Sequence, residues 1–194
     1  MRRALLAAAL AVAALGAARV APGQEALTPE GLMRQLAATG AATVGFIETR
    51  HSDALSAPLV ARGELRYTPP GRLERRVTAP VAERYLVEGD RVTVERPGAA
   101  PRSFSLAAQP VLGAFLEAIR ATLRGDLAAL ARHYRVEVAG GAARWTLVLL
   151  PSDPALAELV SAIRIAGTHG RLTGMEVVET GGDRVVTAFT EAAR

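Results

Sequence analysis

Three histidines, six serines and an all-arginine set of basic residues are the side chains that could do chemistry in this sequence. His51, His133 and His169 lie far apart and lack a partner at metal-ligand spacing, so each reads as solvated or locally satisfied. Ser52, Ser56, Ser103, Ser105, Ser152 and Ser161 sit in no G-x-S-x-G elbow, and neither H-E-x-x-H nor G-x-G-x-x-G occurs. The absence of cysteine excludes disulfide scaffolds, thiolate metal sites and cysteine nucleophiles. All 23 basic residues are Arg, which removes Schiff-base lysines and the lysine of a phosphate-binding P-loop. No enzymatic constellation, metal or cofactor is expected from these residues; binding without chemistry is. One arginine stands apart. Arg75 shares strand parity with Leu73 and Val77, which points it inward, where a guanidinium bonds a carbonyl, carboxylate or phosphate in a ligand's head group. The competing reading is a side chain that snorkels to solvent, with Arg72, Glu74 and Arg76 forming a charged outer face.

What positions such residues is an apolar chain of 194 residues, 50% hydrophobic and 22% charged, long enough for one domain and too apolar for a disordered polymer. Residues 1–23 read as a secretory signal peptide: Arg2 and Arg3, an apolar run from Ala4 to Leu15, then small residues at Gly16, Ala17, Ala18, Ala21 and Gly23. Arg19 interrupts the run too early for a membrane span, which needs about 20 apolar residues. The expected mature domain covers 24–194. Removing the leader takes away Arg2, Arg3 and Arg19 but no acid, leaving 20 Arg against 19 Asp and Glu. The high pI of the full chain is therefore no argument for nucleic-acid binding.

Hydrophobic spacing predicts a helix over Leu27–Ala38, capped by Thr28 with Pro29 at its first position and Leu32, Met33 and Leu36 on one face. The period then changes to two. Leu59–Thr68 alternates most clearly, with Leu59, Ala61, Gly63, Leu65 and Tyr67 on one side. Val44–His51, Arg72–Thr78, Arg84–Glu88, Arg91–Arg96 and Ser103–Leu106 read as further strands, with a tight turn at Gly89-Asp90. A second helix is expected over Val111–Arg124, stopped by Gly125, and a short one after Asp126. Strands resume at Tyr134–Ala139 and Ala143–Leu150. A short helix from Pro154 through Val160 precedes the closing strands Ala162–Thr168, Leu172–Thr180 and Arg184–Thr190. Short turns and the lack of a strand-helix-strand repeat predict an antiparallel meander rather than a parallel sheet. A curved sheet of about eleven strands has a concave face too wide for its own side chains to fill, so helices must cover it, and incomplete plugging leaves an apolar cavity.

The stretch Gly63-Glu64-Leu65-Arg66-Tyr67-Thr68-Pro69-Pro70-Gly71-Arg72-Leu73, continuing to Val77, Thr78 and Pro80, resembles the periplasmic outer-membrane lipoprotein carriers, the LolA family. Phe46-Ile47-Glu48-Thr49-Arg50 resembles the family's first strand, and Leu86-Val87-Glu88-Gly89-Asp90-Arg91-Val92 its next hairpin. Trp145-Thr146-Leu147-Val148-Leu149-Leu150-Pro151 is similar to the strand before its short crossover helix, and Gly170-Arg171-Leu172 to a late turn. The resemblance implies an α+β, mainly β fold: an unclosed antiparallel β-barrel with short helices as a lid over an apolar cavity that takes acyl chains through the periplasm. It also implies an acylated lipid or lipoprotein cargo, an inner-membrane exporter and an outer-membrane receptor, with the carrier a monomer. Two positions depart from the pattern. Where the carriers have an arginine before the turn proline that helps hold the lid closed, this chain has Pro69; where they can carry an aromatic residue in the next strand, it has Arg75. Both point to a divergent branch, whose cargo could be another acylated molecule such as a glycolipid or pigment ester.

Parity selects Leu59, Leu65 and Tyr67 for the cavity wall, with Leu73 and Val77 from the neighbouring strand, and the second helix supplies Phe115, Leu116 and Ile119 as lid contacts. The alternative is that these residues pack a solid core, as lone Trp145 is expected to do. In that case the protein is a periplasmic protein-interaction module with a filled core. A smooth wall of Leu, Val and Ala suits flexible alkyl chains. At about 0.8 kcal/mol per buried CH₂, a chain of roughly sixteen carbons contributes on the order of 10 kcal/mol before ordering costs.

Overall fold

The computed structural model describes residues 27–191; the leader expected over 1–23 lies outside them. Helix α1 (Pro29–Ala37) begins where Thr28 accepts a hydrogen bond from the Gly31 amide at 3.1 Å, and it buries Leu32, Met33 and Leu36. Six strands follow: β1 (Ala42–His51), β2 (Leu59–Thr68), β3 (Arg72–Ala79), β4 (Glu83–Glu88), β5 (Arg91–Glu95) and β6 (Arg102–Ser105). A 3₁₀ turn at Leu106–Ala108 leads into α2 (Pro110–Arg124) and α3 (Leu127–Ala131). Then come β7 (Tyr134–Gly141), β8 (Arg144–Pro151), α4 (Pro154–Ala157), β9 (Val160–Thr168), β10 (Arg171–Glu179) and β11 (Arg184–Glu191).

All eleven strands form one antiparallel sheet in the order β6-β5-β4-β3-β2-β1-β11-β10-β9-β8-β7. Strands consecutive in sequence are neighbours in space except β6 and β7, and β1 also pairs with β11, from Val44 opposite Glu191 to His51 opposite Arg184. The meander is thus two arms joined at their ends, and β6 and β7 are its free edges. The segment linking those two edges is the one that carries α2 and α3.

Most expected boundaries fall within two residues; that of the last helix moves further. The helix read through Val160 stops at Ala157, and Val160 instead opens β9, opposite Glu179. The Thr180 amide donates to the Leu159 carbonyl at 3.0 Å, so the end of β10 offers this segment a strand partner that a second helical turn lacks.

The apolar interior falls into two clusters. The larger joins Leu32, Met33 and Leu36 of α1 to Trp145, Leu147 and Leu149 of β8 and to Ile163 and Ile165 of β9. Trp145 is 1% exposed, and its indole N–H donates to the His169 carbonyl at 2.5 Å, so it packs in the core as its lone position suggests. The smaller cluster holds Tyr67, Leu73, Val87, Val92 and Leu106. Helix α2 touches both. Its Ala114, Ala118 and Ala121 belong to the larger cluster, while Leu112, Leu116, Ile119 and Leu123 pack on the smaller. Alanines permit close helix approach, and Gly125, in the left-handed region at φ 69°, ends α2 directly against α1. A Cβ there would lie 2.2 Å from the Met33 carbonyl oxygen. With α2 held that close to α1, the middle of the sheet, β1 with β11 and β10, is left uncovered.

Candidate functional site

A cavity of about 1150 Å³ occupies that uncovered middle, larger than the roughly 300–1,000 Å³ common for ligand pockets. Its floor uses alternate residues of the strands, as the pleat requires: Ala42, Val44, Phe46 and Glu48 of β1, then Met175 and Val177 of β10 and Val185, Thr187 and Phe189 of β11. The roof is α2, through Leu112, Phe115, Leu116, Ile119 and Leu123, with Leu36 of α1 beside it. From Ala42 to Glu48 the lining follows β1 for roughly 20 Å. At the α1 end the rim carries hydroxyls, among them Thr39, Thr43, Thr168, Thr173 and Thr190; the Thr39 hydroxyl donates to the Gly170 carbonyl at 2.8 Å.

The polar centre of the lining is an ion pair. Arg75 Nη2 donates to Glu48 Oε1 at 2.8 Å, and the Thr187 hydroxyl approaches Glu48 Oε2 at 3.5 Å. The guanidinium carbon of Arg75 stands 4.7 Å from the Phe46 ring centroid and 5.8 Å from that of Tyr85. Phe46 reaches this position because β2 has Gly63 opposite it; a Cβ on Gly63 would meet the Phe46 ring at 3.0 Å and the Arg76 carbonyl oxygen at 1.9 Å. Burial makes the Tyr67 and Tyr85 hydroxyls weaker acids than an ordinary phenol, so both rings stay neutral and present apolar faces.

Of the residues selected from the sequence, Leu65, Tyr67, Leu73, Arg75, Phe115, Leu116 and Ile119 line this one cavity. Two do not. Leu59 is 57% exposed at the start of β2, beyond the reach of the covering helices. Val77 is buried but lies outside the lining, opposite Gly63 where the β2–β3 register shifts. Arg75 points inward as parity requires, yet it is not a free cation. Its partner Glu48 is not among the residues the sequence reading selects, although a carboxylate at the same parity as Val44 and Phe46 is a visible signal. The walls from β9, β10 and β11 lie beyond sequence reasoning, because nothing within those strands says that β11 pairs with β1.

The lid is tied down at the turns. Arg120 of α2 donates to the Gly89 carbonyl in the β4–β5 turn at 2.7 Å and pairs with Glu117 at 3.3 Å; Arg124 pairs with Glu117 at 2.6 Å. These arginines approach the β2–β3 turn from the helix: a Cβ on Gly71 would sit 3.4 Å from Arg120 Cδ. Pro69 in that turn carries no guanidinium; the ones beside the turn come from α2. Among the described residues no group of three His, Cys, Asp or Glu is placed to hold a metal ion, and no helix is long and apolar enough to cross a membrane.

Comparison with solved structures finds similar chains. A LolA superfamily protein from Nitrosomonas europaea has 11% identity over 84% of this chain and 92% of its own, with a TM-score of 0.47. The lipoprotein LppX of Mycobacterium tuberculosis has 14% identity over 86% and 97%, with a TM-score of 0.45. A putative outer membrane lipoprotein-sorting protein domain from Vibrio parahaemolyticus has 9% identity over 84% and 90%, also at 0.45. Among curated proteins no match is found. The family model described as outer membrane lipoprotein carrier protein LolA-like matches residues 21–194, nearly the whole chain. The unclosed eleven-stranded sheet, the helical lid and this match together place the chain in the LolA-like outer membrane lipoprotein carrier family, as one of its divergent members.

Proposed function

We propose that this protein is a periplasmic carrier that holds the acyl chains of a lipoprotein or another acylated lipid in its cavity and shuttles them from the inner to the outer membrane. The observation that carries the reading is the cavity itself, about 1150 Å³ of space under α2 that the protein's own side chains leave unfilled. Family membership supports it, as does the signal-like order of residues 1–23. The reading requires no catalytic group. Loading from an inner-membrane exporter and release to an outer-membrane receptor need only graded affinities, each partner binding the cargo more tightly than the one before.

Native mass spectrometry of the full chain purified gently from a periplasmic extract tests this. The expected result is a population heavier than the polypeptide by one or two acyl lipids, together with protein-dependent transfer of a fluorescent acyl lipid between vesicles. A bare polypeptide mass with no transfer would overturn the carrier reading and favour an interaction module.

A further inference from the structure

The polar atoms of the cavity say which head groups it admits. Resting on the carrier reading, we propose that the Arg75–Glu48 pair makes this a site for acyl lipids whose head group is uncharged and bears hydroxyl or carbonyl oxygens, and that it turns away chains ending in a free carboxylate or phosphate.

The two residues face each other from β3 and β1 across β2, 2.8 Å apart, with side chains 30% and 27% exposed toward the cavity they line. Each still has bonding capacity. A guanidinium has five N–H groups and a carboxylate about four acceptor positions, and this pair uses one donor on Arg75 and two acceptor sites on Glu48. A hydroxyl accepts from Arg75 and donates to Glu48 without parting them, and a carbonyl accepts from Arg75 alone. An anion has a harsher choice: it must sit beside the Glu48 carboxylate or displace it, and in a site walled by Phe46, Leu65 and Tyr85 that repulsion is poorly screened. Charge in the rest of the lining is acidic on balance. Its other charged residues are Arg171, Glu179 and Glu191, so acids outnumber bases, and Glu179 is itself engaged by Arg50 at 2.9 Å.

Two probes with the same chain separate the terms: palmitate and 1-palmitoylglycerol, titrated at neutral pH into the full mature chain by calorimetry. The expected result is about tenfold tighter binding of 1-palmitoylglycerol, the equivalent of one charge-assisted contact. Glu48→Gln frees Arg75 and should raise palmitate affinity about tenfold, reversing the order. Arg75→Gln leaves Glu48 alone and should widen the gap. A folding defect would weaken both probes together rather than reorder them. Equal affinities in the unmutated protein, or an order unchanged by Glu48→Gln, would overturn the head-group assignment and leave the cavity reading standing. If neither probe binds, the carrier reading falls and this inference with it.

Discussion

Replacing Val44 with tryptophan separates a hollow interior from a packed one. Val44 lies on β1 beside Leu65 of β2, and both line the cavity. Enlarging a side chain in a filled core typically costs about 1–3 kcal/mol, and Val→Trp is among the largest such steps. In a space of about 1150 Å³ the ring has room. A tryptophan that covers even 100 Å² of apolar lining gains roughly 2.5 kcal/mol, enough to offset an entropy cost on the order of 1 kcal/mol for ordering the side chain. The empty protein should therefore melt no lower than the parent, or at most ~2–4 °C lower, the equivalent of about 1 kcal/mol. Ala118→Leu is the control: Ala118 is 2% exposed where α2 meets the larger cluster, and it should show the overpacking cost in full. The same Trp ring should abolish binding. If it displaces four methylenes of a bound chain, about 3 kcal/mol is lost, more than a hundredfold in Kd. Thermal melts and titration with 1-palmitoylglycerol measure both quantities. If Val44→Trp destabilises as much as Ala118→Leu, or binds the chain as the parent does, then β1 is packed rather than open and the reasoning fails.

Arg120→Ala should loosen the lid without unfolding the sheet. Its bond to the Gly89 carbonyl is charge-assisted and only 12% of the side chain is exposed, so a loss of about 1.5–3 kcal/mol is expected. Hydrogen exchange should quicken in α2 while β8 and β9 keep their protection; uniform quickening would mean that Arg120 supports the whole fold instead. Glu74→Gln should change the acid limb of stability. The hydrogen bond from Arg84 holds the Glu74 carboxyl below its ordinary value of 4.5, against a smaller opposing effect of burial. A group depressed on folding contributes stability that is complete above 4.5 and is lost as pH falls through its lower folded value. The parent should therefore lose melting temperature as pH drops below this point, and Glu74→Gln, less stable at neutral pH, should lose less; parallel curves would show that Glu74 plays no part.

Local alternation made each arm of the sheet readable. β2 alternates through ten residues, and its inward set, Leu65 and Tyr67, lines the cavity because side-chain parity on a strand admits only two answers. Parity does not say how far along a strand the cover extends, so Leu59 shares the inward parity yet lies in solvent. The pairing of β1 with β11 joins residues about 140 positions apart, as in Thr187 approaching Glu48, and no short-range pattern encodes such a contact. The role of Arg75 shows the same limit. Its direction is legible from Leu73, but its pairing in the site depends on Glu48, two strands away.

The hollow follows from how α2 divides its surface. Its alanines commit it to the larger cluster, seventeen buried residues among those described, and its Leu and Ile stripe to the smaller one of five. A helix fixed on both sides cannot also descend onto β1 and β11, so Phe115 and Leu116 border the cavity on one side while Val44 and Phe189 border it on the other. Large residues at Ala114 or Ala118 would push α2 away from α1, and a smaller stripe would let it sink toward the sheet. The two attachments are also unequal. Entry of a chain should part α2 from the smaller cluster and the Gly89 turn, where fewer buried residues and the Arg120 bond resist, while the alanine face stays seated on α1.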